Sequence, residues 1–237
     1  MNILIIGNSH VGALKLAWND IKSDYQETEI VFCAAPGNYL GDILINDGYI
    51  SAPIEKKIGQ MIKHISGSNN IEILTFDVFI FYGLGYTFKP TEEYFLSASF
   101  LKDVIFNRFQ KSLNYNLLTK IRKYAKLNSD FICLHTPLIS NEIFKPEMSI
   151  ASSYEKIINS IHSFFPSEKI SFFIQPESTR INDWFTKTEF TKNSLGLAIN
   201  TPDHLAKPHS DDDVIHMNKK FGDIYIRSLI NSLKSLI

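Results

Sequence analysis

The sequence has little cysteine, and the cysteines it has are not arranged as ligands or bridges. Only two of its 237 residues are cysteines, Cys33 and Cys133, and both lie in apolar stretches without a C-x-x-C pair. This pattern excludes a disulfide framework and gives no support to a zinc knuckle or a thiol redox motif. Nothing in the cysteine usage requires an oxidising compartment.

An excess of charge and long apolar runs are also missing. Lys and Arg number 24 against 25 Asp and Glu, a formal net charge of −1. Such a chain offers no general field for a nucleic-acid backbone or an anionic membrane, so we expect neither partner. No stretch approaches the roughly 18 apolar residues of a membrane span. The first apolar run, residues 3–6, is also shorter than the roughly 7–15 residues of a secretory signal core. We therefore expect a cytoplasmic protein.

What the chain does have is apolar material in a regular order. Hydrophobic residues make up 44% and aromatic residues 13%, enough for a sizeable core. Five runs typical of buried strands alternate with helical patterns, at residues 3–6, 29–34, 77–82, 131–134 and 170–174. The helical patterns begin at Val11 and cover 53–66, one or two segments of 91–127, 153–165 and 219–236. This order predicts one α/β domain over 1–237, a three-layer sandwich with a mainly parallel five-stranded sheet, elaborated at 84–110 and 177–216.

In open parallel sheets, ligands bind beyond the carboxyl ends of the strands. Ser9 follows the first strand there, where free backbone N–H groups and the positive end of a helix stabilise negative charge. The simpler alternative is that Ser9 only caps the helix. Ala13 and Leu14 after Gly12 exclude a P-loop, and Val11 stands where a G-x-S-x-G elbow needs glycine.

A second polar group precedes the last helix. Asp213 and His216 are three residues apart, so a single turn brings the carboxylate to Nδ1 of the imidazole. That contact fixes the tautomer and leaves Nε2 free to take a proton from a serine. The alternative is a solvated acidic loop with His216 at the start of a helix.

Together these residues resemble the SGNH (GDSL-like) hydrolases. The resemblance rests on Gly-x-Ser near the N-terminus, on Asp-x-x-His, and on His216-Met217-Asn218 followed by Phe221-Gly222. It implies a flavodoxin-like α/β/α sandwich over essentially the whole chain. It makes Ser9 the nucleophile, His216 the general base and Asp213 its orienting acid. The family includes esterases, lipases, carbohydrate deacetylases and O-acetyltransferases, and Gly-Asn-Ser-His looks like variants associated with bacterial surface polysaccharides.

The resemblance also implies an oxyanion hole, in which this chain departs from the family. The backbone N–H of Ser9 and Gly37 match the first two donors, with Gly41 as a less suitable substitute for Gly37. The third block is normally Gly-x-Asn-Asp, whereas this chain has Gly83-Leu84-Gly85-Tyr86 without the Asn. The loss of one donor typically costs about 10²–10³ in rate. We expect the N–H of Gly85 or the amide of Asn38 to replace it.

Other residues at the strand ends are candidates for substrate binding: Asn8, His10, Asn38, Tyr86 and His135. His10 contacts an acyl donor or a sugar, or it packs over the first turn of the helix. His135 lines the pocket or belongs to a turn. Aromatic residues between 82 and 106 line a pocket that excludes water or stacks on sugars, or they form core: Tyr86, Phe88, Tyr94, Phe95 and Phe100.

These features predict serine-dependent acyl chemistry through an acyl-Ser9 intermediate, on an O-acyl, above all O-acetyl, group of a carbohydrate. Transfer and hydrolysis both remain open. We expect no bound cofactor, with acetyl-CoA as a candidate acyl donor. The missing Asn also fits a non-catalytic carbohydrate-binding or scaffold module on the same fold.

A metal-dependent hydrolase is a further alternative. Histidines and acids cluster within thirteen residues: His204, His209, Asp211, Asp213 and His216. They are enough ligands for zinc or manganese. Their spacing fits no standard helix motif, however, and the triad already accounts for two of them, so we predict no metal site.

Overall fold

The computed structural model describes residues 1–87, 98–140, 154–165, 169–181, 184–197 and 207–234. The candidate ligand His204 and the aromatic residues Phe88, Tyr94 and Phe95 lie outside these ranges. In the part of the chain that is described, no helix combines the length and the apolar character needed to cross a membrane.

Ten strands and six α-helices lie in the described residues. The strands are β1 (Asn2–Gly7), β2 (Glu29–Ala34), β3 (Leu44–Asn46), β4 (Tyr49–Ser51), β5 (Asn70–Glu72), β6 (Val78–Tyr82), β7 (Asp130–Leu134), β8 (Ile170–Phe172), β9 (Arg180–Ile181) and β10 (Phe185–Thr186). The helices are α1 (Val11–Ile21), α2 (Lys57–Ser66), α3 (Ala98–Lys111), α4 (Leu113–Ile121), α5 (Tyr154–His162) and α6 (Lys219–Lys234).

The central sheet has the order β2-β1-β6-β7-β8, and every neighbouring pair is parallel. Counted along the chain, these five strands run 2-1-3-4-5, the flavodoxin-like order. All five strands of the sequence prediction are present, so the predicted α/β class is confirmed. The strand order reverses next to β1, and the crevice at such a switch point is where ligands bind in doubly wound sheets.

Helices cover both faces of this sheet and make two hydrophobic cores. Ile3 and Ile5 of β1 face α1 and α6, while Leu4 and Ile6 face the core formed with α2, α3, α4 and α5. All four side chains are fully buried, because successive residues of a strand point to opposite faces and both faces here are covered. The three layers of the sequence prediction are therefore present.

Some elements differ from the sequence prediction. β3, β4 and β5 form a small antiparallel sheet, and β9 pairs with β10. The helix predicted from Pro53 begins only at Lys57. The carbonyl of Pro53 instead accepts the N–H of Lys56 in a turn, and this turn lies so close to Gly59 that a β-carbon there would overlap it.

Two glycines position the ends of the chain for the site. A β-carbon on Gly222 of α6 would overlap the carbonyl of Ala13 in α1, so the two helices touch backbone to backbone. A β-carbon on Gly7 would overlap Val11, so only glycine permits the sharp turn from β1 into α1. The loop that precedes α6 is thereby brought to the end of β1.

The carboxyl ends of four strands lie at one level. Gly7 is in register with Ala34 of β2 and with Tyr82 of β6, and Tyr82 is in register with Leu134 of β7. The loops that follow these residues therefore meet at one edge of the sheet.

Candidate active site

Ser9 lies in the turn between β1 and α1. The N–H of Val11 donates to the carbonyl of Asn8 at 3.1 Å, and the N–H of Gly12 donates to the carbonyl of Ser9 at 3.0 Å. His10 is the residue before the helix, and its side chain makes no capping hydrogen bond. Ser9 is half-buried at the positive end of α1, a suitable place for a nucleophile whose reaction develops negative charge.

Ser9, His216 and Asp213 form a continuous chain of hydrogen bonds. Oγ of Ser9 lies 3.0 Å from Nε2 of His216, and Nδ1 of His216 lies 2.7 Å from Oδ2 of Asp213. A carboxylate only accepts, so Nδ1–H donates to Asp213 and Nε2 accepts from the serine hydroxyl. This is the tautomer in which a histidine acts as the general base of a serine nucleophile.

Asp213 is held as a carboxylate. Partial burial raises its pKa, but the backbone and side-chain hydrogen bonds from His216 and the N–H of Ile215 outweigh it and bring the pKa to about 2. Both backbone N–H groups donate to Oδ1 at 2.8 Å, which leaves Oδ2 for the imidazole. Asp213 thus remains charged at neutral pH and stabilises an imidazolium.

Asn218 fixes the segment that carries His216. Its Oδ1 accepts the N–H of Phe221 at 3.1 Å and caps α6, while its Nδ2 donates to the carbonyls of Glu189 at 2.8 Å and Lys192 at 2.9 Å. The asparagine of His-x-Asn therefore joins the last helix to the loop beside it.

A second histidine lies against His216. The ring of His209 is stacked on that of His216, with centroids 4.0 Å apart and planes 5° apart. Nδ1 of His209 lies 3.5 Å from Oδ2 of Asp213. The backbone N–H of His209 donates to the carbonyl of Ser194 at 2.9 Å. Burial, followed by the charge of His216, lowers the pKa of His209. The sequence indicated His209 only as a metal ligand.

His10 lies near the ring of His216. It is 7% exposed, its ring centroid is 5.3 Å from that of His216, and its Nδ1 has no hydrogen-bond partner among the described residues. Burial, and next the charge of His216, lower the pKa of His10 to about 3. The neutral imidazole of His10 thus lies beside His216. The contact of His10 with substrate stays a prediction.

The alternative metal site conflicts with the triad geometry. His209, Asp213 and His216 each place one ligand atom within 4.8 Å of the others, whereas Asp211 is exposed. Zinc lies in the plane of an imidazole at about 2.0–2.1 Å from the nitrogen. Because the two rings are parallel, their lone pairs cannot meet on one ion unless one ring rotates, and that rotation breaks the stack or the triad.

The predicted oxyanion donors lie at the expected strand ends. Gly37 (φ +56°) and Gly85 (φ +83°) are exposed, and in the described part of the chain neither their N–H groups nor that of Ser9 has a hydrogen-bond partner. The N–H of Gly41 donates to the carbonyl of Asn38 at 2.8 Å, so Gly41 is the poorer substitute. The oxyanion hole itself stays a prediction.

The loop with the missing Asn has an unusual backbone. Gly83, Leu84 and Gly85 all have positive φ, which for Leu84 (φ +55°) is strained. Asn114 of α4 holds this loop. Its backbone N–H donates to the carbonyl of Leu84 at 3.0 Å, and its Nδ2 donates to the carbonyls of Gly83 at 3.3 Å and Phe81 at 3.2 Å. Sequence reasoning missed Asn114, which no motif marks.

The side chain of Asn8 lies against the start of the same loop. A β-carbon on Gly83 would lie 3.0 Å from Oδ1 and 3.2 Å from Nδ2 of Asn8. Oδ1 of Asn8 also accepts the N–H of His10 at 3.3 Å. Asn8 therefore places a carboxamide beside the loop that lacks one, in addition to the exposed Asn38.

Two predicted substrate-binding residues are instead part of the core. Tyr86 and His135 are each 1% exposed. Nδ1 of His135 donates to the carbonyl of Thr136, and its Nε2 accepts the hydroxyl of Tyr154, which itself accepts the N–H of Gln175 at 2.9 Å. Burial lowers the pKa of His135 to about 4. Since both ring nitrogens are engaged internally, the prediction that His135 and Tyr86 contact substrate is corrected.

No protein-family model and no curated protein matches the sequence. Solved structures are similar to the chain over almost its whole length. One is a carbohydrate esterase family 2 enzyme with a carbohydrate-binding domain from Corynascus thermopiles (Myceliophthora fergusii), at 14% identity and a TM-score of 0.41, covering 99% of this chain and 65% of that one. This chain thus spans less than two thirds of that protein.

Two further structures cover 98% of the chain. The periplasmic domain of a lipopolysaccharide acetyltransferase from Salmonella ser. Paratyphi A is 11% identical, with a TM-score of 0.46 and 83% of its own chain covered. A carbohydrate acetylesterase family member from Sinorhizobium meliloti is 9% identical, with a TM-score of 0.41 and 97% covered. Likeness at these values does not assign an activity to this chain.

Proposed function

We propose that this protein is a serine-dependent enzyme of the SGNH hydrolase type, which transfers or hydrolyses acyl groups. The observation that carries the proposal is the hydrogen-bonded chain from Ser9 through His216 to Asp213. Ser9 is 207 residues from His216 in sequence and yet contacts it, and we assign the three residues the roles that the resemblance implies. A nucleophile, a base and an orienting acid in hydrogen-bond contact are the signature of covalent acyl chemistry.

In the first step, Oγ of Ser9 attacks the carbonyl carbon of an ester or thioester while its proton passes to Nε2 of His216. Asp213 stabilises the resulting imidazolium, and backbone N–H groups at the strand ends stabilise the oxyanion. His216 then returns the proton to the leaving oxygen or sulfur, which departs and leaves an acyl-Ser9. In the second step, water or a sugar hydroxyl attacks this ester with the roles reversed.

The substrate we propose is an O-acyl, above all O-acetyl, group on a carbohydrate, with acetyl-CoA as the donor if the enzyme transfers. This part rests on the resemblance of the motifs to a family that contains carbohydrate deacetylases and O-acetyltransferases. Water as the second acceptor makes the enzyme an esterase, whereas a sugar hydroxyl makes it a transferase.

A non-catalytic binding module is the competing function, and it makes a different demand on the site. A module that only binds needs no hydrogen-bonded chain of carboxylate, imidazole and hydroxyl such as Asp213, His216 and Ser9 form. Against an enzyme stands the missing third-block Asn, whose place Asn8, Asn38 or Gly85 would have to fill.

The deciding experiment is intact-mass analysis after treatment with a fluorophosphonate. We expect one adduct on the wild type, none on Ser9→Ala, and full labelling of Ser23→Ala as a surface-serine control. An adduct retained in Ser9→Ala, or none on folded wild type, would overturn the serine mechanism. Steady-state assays with aryl acetates, and with acetyl-CoA plus sugars, then separate hydrolysis from transfer.

A further inference from the structure

A groove of about 470 Å³ opens beside the strand ends. It lies between the loop after β2, the loop after β6 and the junction of α3 with α4. Among the described residues, those that line it are Asn38, Gly41, Leu84, Gly85, Arg108, Lys111, Ser112 and Leu113. Its volume is within the range of small-molecule sites, about 300–1,000 Å³.

The lining of this groove is positively charged and rich in donors. Arg108 and Lys111 belong to the last turn of α3, and none of the eight lining residues carries a carboxylate. Leu113 is the first residue of α4, so the positive end of that helix lies at the groove as well. The unpartnered N–H of Gly85 adds a backbone donor, and a β-carbon on Gly85 would lie 3.8 Å from the nitrogen of Leu113.

The same lining offers little to a neutral ligand. None of the eight described lining residues is aromatic, so this part of the lining offers none of the flat apolar faces that commonly line ligand sites. Carboxylates and phosphates are instead recognised by cationic side chains. The guanidinium of Arg binds them with a planar fork of donors, and the ammonium of Lys binds them as a point charge. The described lining of the groove therefore favours an anionic ligand over a neutral one.

The groove lies at the same edge of the sheet as Ser9. Asn38 is in the loop after β2, and Gly85 is in the loop after β6. These two strands flank β1, whose carboxyl end leads to Ser9. A molecule whose acyl carbonyl lies at Ser9 can thus extend between these two loops into the groove.

We propose that the groove binds an anionic group, a carboxylate or a phosphate, carried by the acyl donor or by the acylated sugar. Arg108 and Lys111 contact the anion, and the reacting carbonyl lies at Ser9. This inference rests on the proposed function and narrows its substrates to anionic esters and thioesters. Phosphates of a coenzyme-type donor and the carboxylate of a uronic-type sugar share this chemistry.

The test compares substrates with and without an anionic group in the same variant, because basic residues at the end of a helix also complement its dipole and so affect stability. One pair is phenyl acetate and 3-carboxyphenyl acetate, and the other is S-acetylpantetheine and acetyl-CoA. We expect the ratio of kcat/KM, anionic over neutral, to fall about ten-fold or more in Arg108→Gln/Lys111→Gln, through KM. Lys120→Gln, an exposed lysine of α4 outside the groove, should leave the ratio unchanged.

The outcome of each pair names the source of the anion. A fall confined to the carboxyphenyl pair identifies a carboxylate site, and a fall confined to the acetyl-CoA pair identifies a phosphate site. Ratios that stay the same in the double variant for both pairs would overturn the proposal.

Direct binding separates this proposal from the proposed function. Calorimetry with coenzyme A and with glucuronate needs no turnover, and we expect the wild type to bind at least one and the double variant to bind it about ten-fold more weakly. An enzyme inactive on all four substrates that still shows this difference would refute the acyl chemistry and retain the groove. A wild type that binds neither anion would refute the groove.

Discussion

The imidazole of His209 lies parallel to that of His216, with their centroids 4.0 Å apart. The ring centroid of His10 lies 5.3 Å from that of His216, with the two planes tilted by 31°. His216 therefore has two imidazole neighbours besides its hydrogen bonds to Ser9 and Asp213. Such contacts limit the rotation of a catalytic ring, which is a requirement for repeated proton transfer at one geometry.

The stack predicts that His209 positions the general base. His209→Ala should lower kcat about ten-fold and leave KM nearly unchanged, because an aromatic pair contributes about 0.5–1.5 kcal/mol. His209→Phe keeps the stacking surface but loses Nδ1, which at 3.5 Å from Asp213 is beyond a good hydrogen bond. Phenylalanine should therefore restore most of kcat. A Phe variant as slow as the Ala variant would show that the contact with Asp213 matters instead.

The triad predicts unequal losses for its members. Ser9→Ala and His216→Ala should each remove nearly all activity, since triad residues act as a unit. Asp213→Asn should lower kcat by about 10⁴, because it favours the wrong tautomer of His216 and the neighbouring Asp211 and Asp212 are exposed. Steady-state kinetics at one pH measures all three, with circular dichroism to show that the variants are folded. Activity of Asp213→Asn near that of the wild type would contradict the assignment of the acid.

The contact of Asn8 with Gly83 predicts which amide compensates for the missing Asn. Asn8→Ala should lower kcat by about 10²–10³ with little change in KM, the effect of losing one oxyanion donor. Asn38→Ala tests the rival donor, an exposed amide of the loop after β2, and should lower kcat less. A larger loss of kcat in Asn38→Ala than in Asn8→Ala would identify Asn38 as the donor. Two fully active variants would leave the N–H of Gly85 as the remaining candidate.

Two buried neutral histidines predict sensitivity to acid. The pKa of His10 is lowered to about 3 and that of His135 to about 4, mainly by burial, from 6.5. Below pH 6.5 the unfolded chain binds more protons than the folded one, so the free energy of unfolding falls as pH decreases, down to the folded pKa values. Each histidine contributes a slope of about 1.4 kcal/mol per pH unit in this window.

Urea unfolding between pH 5 and 7 measures this slope. His10→Phe should remove roughly half of the contribution of the two histidines. His64→Gln, a change at an exposed histidine of α2, should leave the slope as in the wild type. An unchanged slope in His10→Phe would mean that His10 titrates alike in the folded and unfolded chain.

The sheet could be predicted because its strands are continuous apolar runs buried on both faces, such as Val78–Tyr82. The small strands could not, since Leu44–Asn46 is three residues long and mostly exposed, with no periodicity to read. The start of α2 was predicted too early because proline commonly opens a helix, whereas here Pro53 accepts a turn hydrogen bond from Lys56.

The contact of Asp213 with His216 could be predicted because Asp-x-x-His is a local spacing, whereas the pairing of His216 with Ser9 was implied by the family resemblance. The place of His209 could not be assigned, since its backbone N–H donates to the carbonyl of Ser194, in a loop that sequence patterns do not describe. Tyr86 and His135 were predicted to contact substrate because they follow strands. The sequence does not show that the chain there turns inward, where Tyr154 and Phe109 surround them.

The contact between Gly222 and Ala13 has a consequence for the newly made chain. Ser9 is synthesised well before His216, which follows 207 positions later. The base reaches the serine only after α6 has docked on α1, one of the most non-local events in the fold. Until then the nascent polypeptide carries an unactivated hydroxyl, so acyl groups in its surroundings stay untouched. In the proposed mechanism, turnover therefore begins only once α6 has docked on α1.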